Sequence, residues 1–292
     1  MIAAEFSEGL ALVRDDCICF YFIDRHGHEI SNERFQFAED FSEGLAMVQG
    51  EGPNDKIGFI NNNGKYVIPP SFDSFNGKSL WGFSDGLAIV ALKGKFGFID
   101  THGKFVIKPQ FDRANPFSEG LAVVSKNGMF GFVDRKGKIK IDFQFATALS
   151  FSEGVASFSV DRQKFGLIDK QGKVVMEPKF EWLSGFREGL APINVGMAWH
   201  GDLKSGGKWG FIDKSGVIVI PARYDSANSF SEGLAPVLVN GKWGFINKKG
   251  DMKISLRFNW AEPFDGGVSK VNLGDKIGYI NKAGRYIWKP SE

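Results

Sequence analysis

Residues 230–237 read FSEGLAPV, a polar Ser-Glu-Gly step set between a phenylalanine and a hydrophobic run. Met alone, a Ser and a Glu beside a glycine could form a reactive turn. Seven near copies decide otherwise: FSEGLALV (6–13), FSEGLAMV (41–48), FSDGLAIV (83–90), FSEGLAVV (117–124), FSEGVASF (151–158), FREGLAPI (186–193) and FDGGVSKV (264–271). A pattern used eight times is scaffold. In such a corner the Ser and Glu oxygens can satisfy backbone donors and the Gly can take positive φ.

The copies begin at Phe6, Phe41, Phe83, Phe117, Phe151, Phe186, Phe230 and Phe264, a spacing of 34 or 35 residues broken twice, by steps of 42 and 44. A fixed period in this range marks an array in which each unit buries its faces against its neighbours. Residues 1–292 are therefore expected to form a single array of eight tandem repeats.

One unit, FSEGLAPVLVNGKWGFINKKGDMKISLRF, parses into three short strands. GLAPVLV ends at Asn240-Gly241, a strong hairpin signal, KWGFIN follows, and KKG turns the chain into MKISLRF. Each unit is expected to be a three-stranded antiparallel meander. Side chains alternate faces, so Leu of the first strand opposes the Ala and Val beside it, and both faces are apolar enough to be covered. The glycine recurring as Gly58, Gly97, Gly131, Gly166, Gly210, Gly244 and Gly278 implies close approach by neighbouring backbone or an aromatic ring. Pro70, Pro109, Pro178 and Pro221 lack a ladder donor, and should end the pairing or lie at a sheet edge.

Composition limits the function classes. With 29 Phe and 37 Gly the chain can build a large aromatic core, and its 36 basic and 34 acidic residues are spread without a basic block. Nucleic acid is not an expected partner. No apolar run reaches the roughly 18 residues of a membrane span, and the first repeat begins too early for a signal core, so a cytoplasmic location is expected. Cys17 and Cys19 are poorly placed for a disulfide.

The ordered set KWGFIDKSGVIVIPARYDSANSFSEGLAPV at residues 208–237 resembles the bacterial WG repeat, also called the KWG repeat. The likeness covers nearly the whole chain. It implies an all-β repeat protein without assigned catalysis. The Trp of the signature is replaced by Ile57, Phe96, Phe130, Phe165 and Ile277, and Tyr21 stands at the Gly position of the first repeat.

A typical propeller blade has four strands and this unit reads as three, while the first and last repeats are the poorest copies, as capping repeats tend to be. An open, twisted β-solenoid is expected, with a closed propeller-like ring as the alternative. If recurring positions are scaffold, function sits where the period breaks. The breaks lie between Val48 and Ile57, after Phe72 (bringing in Trp81), and between Ile193 and Trp209. The last insertion holds Met197, Trp199 and His200 in an expected loop, and it should leave the same edge as the Val48–Ile57 insertion. Trp81, Met197, Trp199 and His200 are the candidate binding residues, because exposed aromatics dominate interface hot spots.

Enzyme readings fare poorly. His26 and His28 could hold a metal with a carboxylate such as Asp24, but a solvated turn is expected there, without the oriented support of a catalytic metal site, and no phosphate loop or nucleophile elbow is present. Neither catalytic residues, nor a cofactor, nor a metal is expected. The leading expectation is a non-enzymatic scaffold that binds another protein. Carbohydrate or cell-envelope binding is the alternative, suggested by aromatic content, and a hydrolase built on the repeated acids is a remote third.

Overall fold

The computed structural model describes residues 2–15, 19–50, 56–74, 82–200 and 203–289. Among them every regular element is a β-strand, so no helix is long and apolar enough to cross a membrane. The chain divides into two compact units, residues 1–144 and 145–292.

In the first unit, seven strands pair antiparallel in chain order: Ile2–Ser7, Leu10–Arg14, Phe20–Asp24, Phe35–Ala38, Leu45–Gly50, Ile57–Asn61 and Tyr66–Phe72. A three-stranded sheet follows (Ala88–Leu92, Lys95–Ile99, Phe105–Phe111), then a four-stranded one (Arg113–Ala114, Leu121–Lys126, Met129–Asp134, Ile139–Phe145) whose last residue begins the second unit. The second unit has four sheets of four antiparallel strands, for example Ser226–Ala227, Leu234–Val239, Lys242–Asn247 and Met252–Phe258.

The three-stranded meander read from sequence is present, and a two-residue strand joins its open side. Tyr224 ends the third strand of one sheet, and Ser226 and Ala227 already pair with Leu238 and Val237 of the next. Only Asp225 lies between, its N–H donating to the Leu238 carbonyl at 2.9 Å. The short strand covers an edge that would otherwise present unpaired backbone groups. At Phe35–Ala38 the same crossing is continuous, pairing with Phe20 at one end and Val48 at the other, which merges two meanders into the seven-stranded sheet. Four strands is the usual size of a propeller blade, so strand count no longer favours the open stack over the ring.

The signature glycine answers to backbone. Trp243 pairs with Phe258 and Phe245 with Ile254, so two steps on the second strand face four on the third, a bulge. A Cβ on Gly244 would lie 2.6 Å from the Ile254 carbonyl oxygen, and at Gly97 and Gly210 the matching distance is 2.5 Å. Pro70, Pro109 and Pro178 occupy this bulge on edge strands, and Pro221 lies next to the same point. Their edge placement was expected.

The aspartate of FID closes the second turn. Asp213 Oδ1 accepts the N–H groups of Ser215 at 2.9 Å and Val217 at 3.0 Å, folding the turn around a side-chain acceptor. Asp24, Asn61, Asp100, Asp134, Asp169, Asn247 and Asn281 do the same to residues two and four ahead.

The core lies between consecutive sheets. Leu234 and Phe245 pack with Phe264, Val271 and Ile280 of the next sheet, while Ala235, Val237 and Ile246 pack with Phe211, Ile220 and Tyr224 of the previous one. At Phe41, Phe83, Phe117, Phe230 and Phe264 the Phe that opens the octet sits against the Phe of the preceding second strand, with ring centroids 4.9 Å apart for Phe211–Phe230 and Phe245–Phe264. Burying one such ring is worth roughly 1.5–3 kcal/mol, against about 0–1 kcal/mol for an exposed ion pair, so aromatic packing dominates cohesion within each unit.

Candidate functional site

The segment between Ile193 and Trp209 is not the loop expected from its composition. Leu190–His200 and Leu203–Asp213 pair in one register from Leu190↔Asp213 to His200↔Leu203, forming a two-stranded arm on the ordinary meander. In three other repeats this position is a two-residue turn with both residues at positive φ, Lys93-Gly94, Asn127-Gly128 and Asn240 (48°)-Gly241 (75°). Here Gly196 (85°) and Gly207 (70°) take up those torsions, and pairing resumes beyond them. Gly206 and Gly207 resemble loop residues, yet they form the root of an arm. Buried Asn194 ties that root down, donating from Nδ2 to the Gly206 carbonyl at 3.3 Å.

Three of the four sequence candidates are on this arm. Half-buried Met197 pairs across from Gly206, and Trp199 and His200 follow on the same strand opposite Lys204 and Leu203. Trp81 lies outside the described residues, as does the segment 51–55 of the other hairpin insertion. Sequence reasoning missed Trp182 and Trp260, which sit in two-residue strands and are 39% and 46% exposed. The Trp260 ring stands edge-on to buried Trp243, centroids 5.2 Å apart.

The repeating polar residues are committed to joints between repeats. Glu8, Glu43, Glu153, Glu188 and Glu232 each accept the N–H of the octet glycine one repeat later (Gly44, Gly86, Gly189, Gly233 and Gly267), and Asp85 accepts that of Gly120. Ser42 and Ser231 donate from Oγ to the carbonyls of Phe83 and Phe264, at 2.7 and 2.6 Å. The opening octet is thus a turn, with its side chains turned to the next repeat.

A second set of joints sits at the crossings. Lys208 Nζ is 2.5 Å from Asp225 Oδ1, whose Oδ2 accepts the Asn240 N–H at 2.7 Å. Lys95–Asp112–Asn127 repeats the arrangement, and Glu181 holds Gly196 of the arm root at 3.1 Å with Lys164 at 3.7 Å. The Lys208 ammonium and then the Asn240 amide hold the Asp225 carboxyl below its ordinary range. Glu188 is also lowered: partial burial, the largest single influence, pushes it up, but Lys248 and the amide of Gly233 together outweigh it. At His26 and His28 the Asp24 carboxylate is engaged by the backbone of its own turn, and no cluster of three or more metal-ligating side chains occurs among the described residues.

A cavity of about 460 Å³ opens in the second unit beside three successive octet turns, lined by Arg187, Asn228, Ser229, Phe230, Ser231, Pro263, Phe264 and Asp265. Arg187 breaks the pattern there, since the other copies carry Ser or Asp at its position.

The model of the WG containing repeat matches residues 22–52, 57–96, 96–129, 130–162, 165–196, 209–243 and 243–276. No curated protein matches the sequence. Among solved structures, the fold is similar to that described as "Crystal structure of the eukaryotic initiation factor", at 11% identity and a TM-score of 0.65, over 96% of this chain and 84% of that one. BamB from Moraxella catarrhalis aligns at 11% identity and a TM-score of 0.46, over 83% of this chain and 80% of that one. The repeated Gly bulges, turn aspartates and octet joints are the physical content of the sequence pattern that these seven segments match, and the chain belongs to the WG-containing repeat family.

Proposed function

We propose that this chain is a non-enzymatic repeat scaffold that recognises another protein, with the arm of residues 194–209 as its binding edge. One observation carries the reading. The repeating acids and hydroxyls are spent on joints between repeats, while the arm extends beyond the repeat and, among the described residues, its distal strands pair only with each other. A paired arm offers two edges of backbone donors and acceptors to which a partner strand can add. The sequence of this arm carries Met197, Trp199 and His200, Met and Trp being types enriched at interface cores. The reading is the same whether the sheets stack openly or close into a ring.

The test replaces residues 196–207 by Asn-Gly, which recreates the Val-Asn-Gly-Lys turn of residues 239–242. Intact and armless proteins serve as paired baits in native cell extract, read by mass spectrometry, and binding is rebuilt with the purified partner. A partner held only by the intact protein supports the arm as the edge; equal capture by both rejects it. Half-exposed Trp182 and Trp260 favour a second reading, carbohydrate or envelope binding, since sugars stack on indole faces. Glycan-array binding lost in Trp182→Ala and Trp260→Ala would support that alternative.

A further inference from the structure

We infer that the cavity at Arg187 and Asp265 is a binding site for a small zwitterion, an amino acid or short peptide whose carboxylate meets Arg187 and whose ammonium meets Asp265. The inference is independent of the arm and its partner.

The argument begins with the broken pattern. At the second octet position the other repeats place Ser7, Ser42, Ser84, Ser118, Ser152, Ser231 and Asp265, so Arg187 is the one cation and Asp265 the one acid in the series. A hydroxyl there ties one repeat to the next, as Ser231 does through the Phe264 carbonyl. Arg187 gives up that bond, and Asp265, in the last octet, has no following octet to tie. Among the described residues neither side chain makes a hydrogen bond or ion pair, with each other or with a neighbour, and both are exposed. Across the joint from the Arg187 turn to the Phe230 turn, the Glu188 carboxylate still accepts the Gly233 N–H at 3.0 Å, so the two turns are tied without help from residue 187.

Both exceptions line one cavity, with Ser231 of the intervening turn between them in sequence. The volume of about 460 Å³ falls within the range of small-ligand sites. An arginine fork is suited to bidentate hydrogen bonding with a carboxylate. The Asn228 amide and the Ser229 hydroxyl, which also line the cavity, add neutral donors and acceptors along the ligand. A purely anionic ligand would meet Asp265 as a like charge and a purely cationic one would meet Arg187, so the pair selects for opposite charges in one molecule.

The experiment is ligand-observed NMR and calorimetric titration of the full chain with the twenty L-amino acids, then Gly-Gly and Gly-Gly-Gly, at millimolar concentration. N-acetyl amino-acid amides, which lack both charges, are the control. Saturable binding by a zwitterion, reduced at least tenfold in Arg187→Ser and in Asp265→Ser and absent for the blocked amides, is the expected result. Both substitutions restore residues the repeat already uses, and an unchanged circular dichroism melt checks that they fold. Free amino acids binding better than the peptides identifies the first source, and the reverse order identifies the second. No saturable binding of any zwitterion, equal binding by both variants, or equal binding of the blocked amides overturns the assignment.

Discussion

Glu188 accepts the amide proton of Gly233 at 3.0 Å, although the two lie 45 residues apart in the chain. Each is in an octet turn, and each turn passes the contact on: Glu232 accepts from Gly267 at 2.9 Å. The glutamates hold left-handed torsions, φ 54° at Glu188 and 53° at Glu232, which a residue with a Cβ adopts at a cost. Their recurrence reflects what the carboxylate gains across the joint.

Substitution of Glu232 separates these two effects. Glu232→Ala removes the acceptor for Gly267 and the Lys282 pair while keeping the torsional cost, and is expected to lower unfolding stability by about 1–2 kcal/mol. Glu232→Gly relieves the torsion and should cost measurably less. Urea midpoints for the two variants provide the comparison, and equal losses would remove the torsional argument.

Acid should loosen the crossings. Asp225 is held below its ordinary range by Lys208 and the Asn240 amide, so its folded pKa lies below the unfolded value near 3.9. A depressed carboxyl contributes its full stability above the unfolded pKa and loses it as pH falls through the folded one. The loss is therefore expected below about pH 4. Asp225→Asn, the residue that stands at 259, should fold and show a shallower decline of melting temperature between neutral and acidic pH. An unchanged slope would show that the carboxylate is not the titrating group.

Two glycines in one hairpin should behave differently. At Gly244 a Cβ would press on backbone of the third strand, so Gly244→Ala is expected to cost about 3 kcal/mol or more. At Gly241 the φ is 75° with open space around it, and Ala there costs only the left-handed torsion, about 1–2 kcal/mol. Denaturation of both variants should rank them in that order.

Trp243 tests the tolerance of the signature. It is buried against Trp260, and Phe occupies its position at residues 96, 130 and 165. Trp243→Phe should cost about 1 kcal/mol and Trp243→Ala about 3–5 kcal/mol, read by calorimetry.

Much of this was legible in the residues. Repeat period, strand identity, the octet turn and the edge prolines follow from alternation and turn chemistry, because each is a local rule used again and again along the chain. Ser226-Ala227 was not, since two residues carry no alternation. The arm read as loop because its glycines at 196, 206 and 207 are loop residues by composition, and their pairing depends on facing one another across the hairpin. The crossing joints left a signal that went unused: a lysine precedes its partner by 17 positions at Lys56–Asp73, Lys95–Asp112, Lys164–Glu181, Lys208–Asp225 and Lys242–Asn259. Arg187 was visible as a broken copy, but the cavity that gives it meaning is built by residues 40 to 80 positions further on.

Because the third strands ending at Phe111, Phe145, Phe180, Tyr224 and Phe258 cross into the next sheet with a single residue between, the natural unit of growth is a length of ribbon rather than a module set off by linkers. Removing residues 209–242 would leave Lys208 at the same distance from Asn259 that Lys242 has now, with a Trp-Gly pair directly after it. The seam would be made of contacts the protein already uses. Such a chain can change its number of repeats by slippage of the coding sequence without inventing an interface, while a binding feature such as the arm travels with the one repeat that carries it.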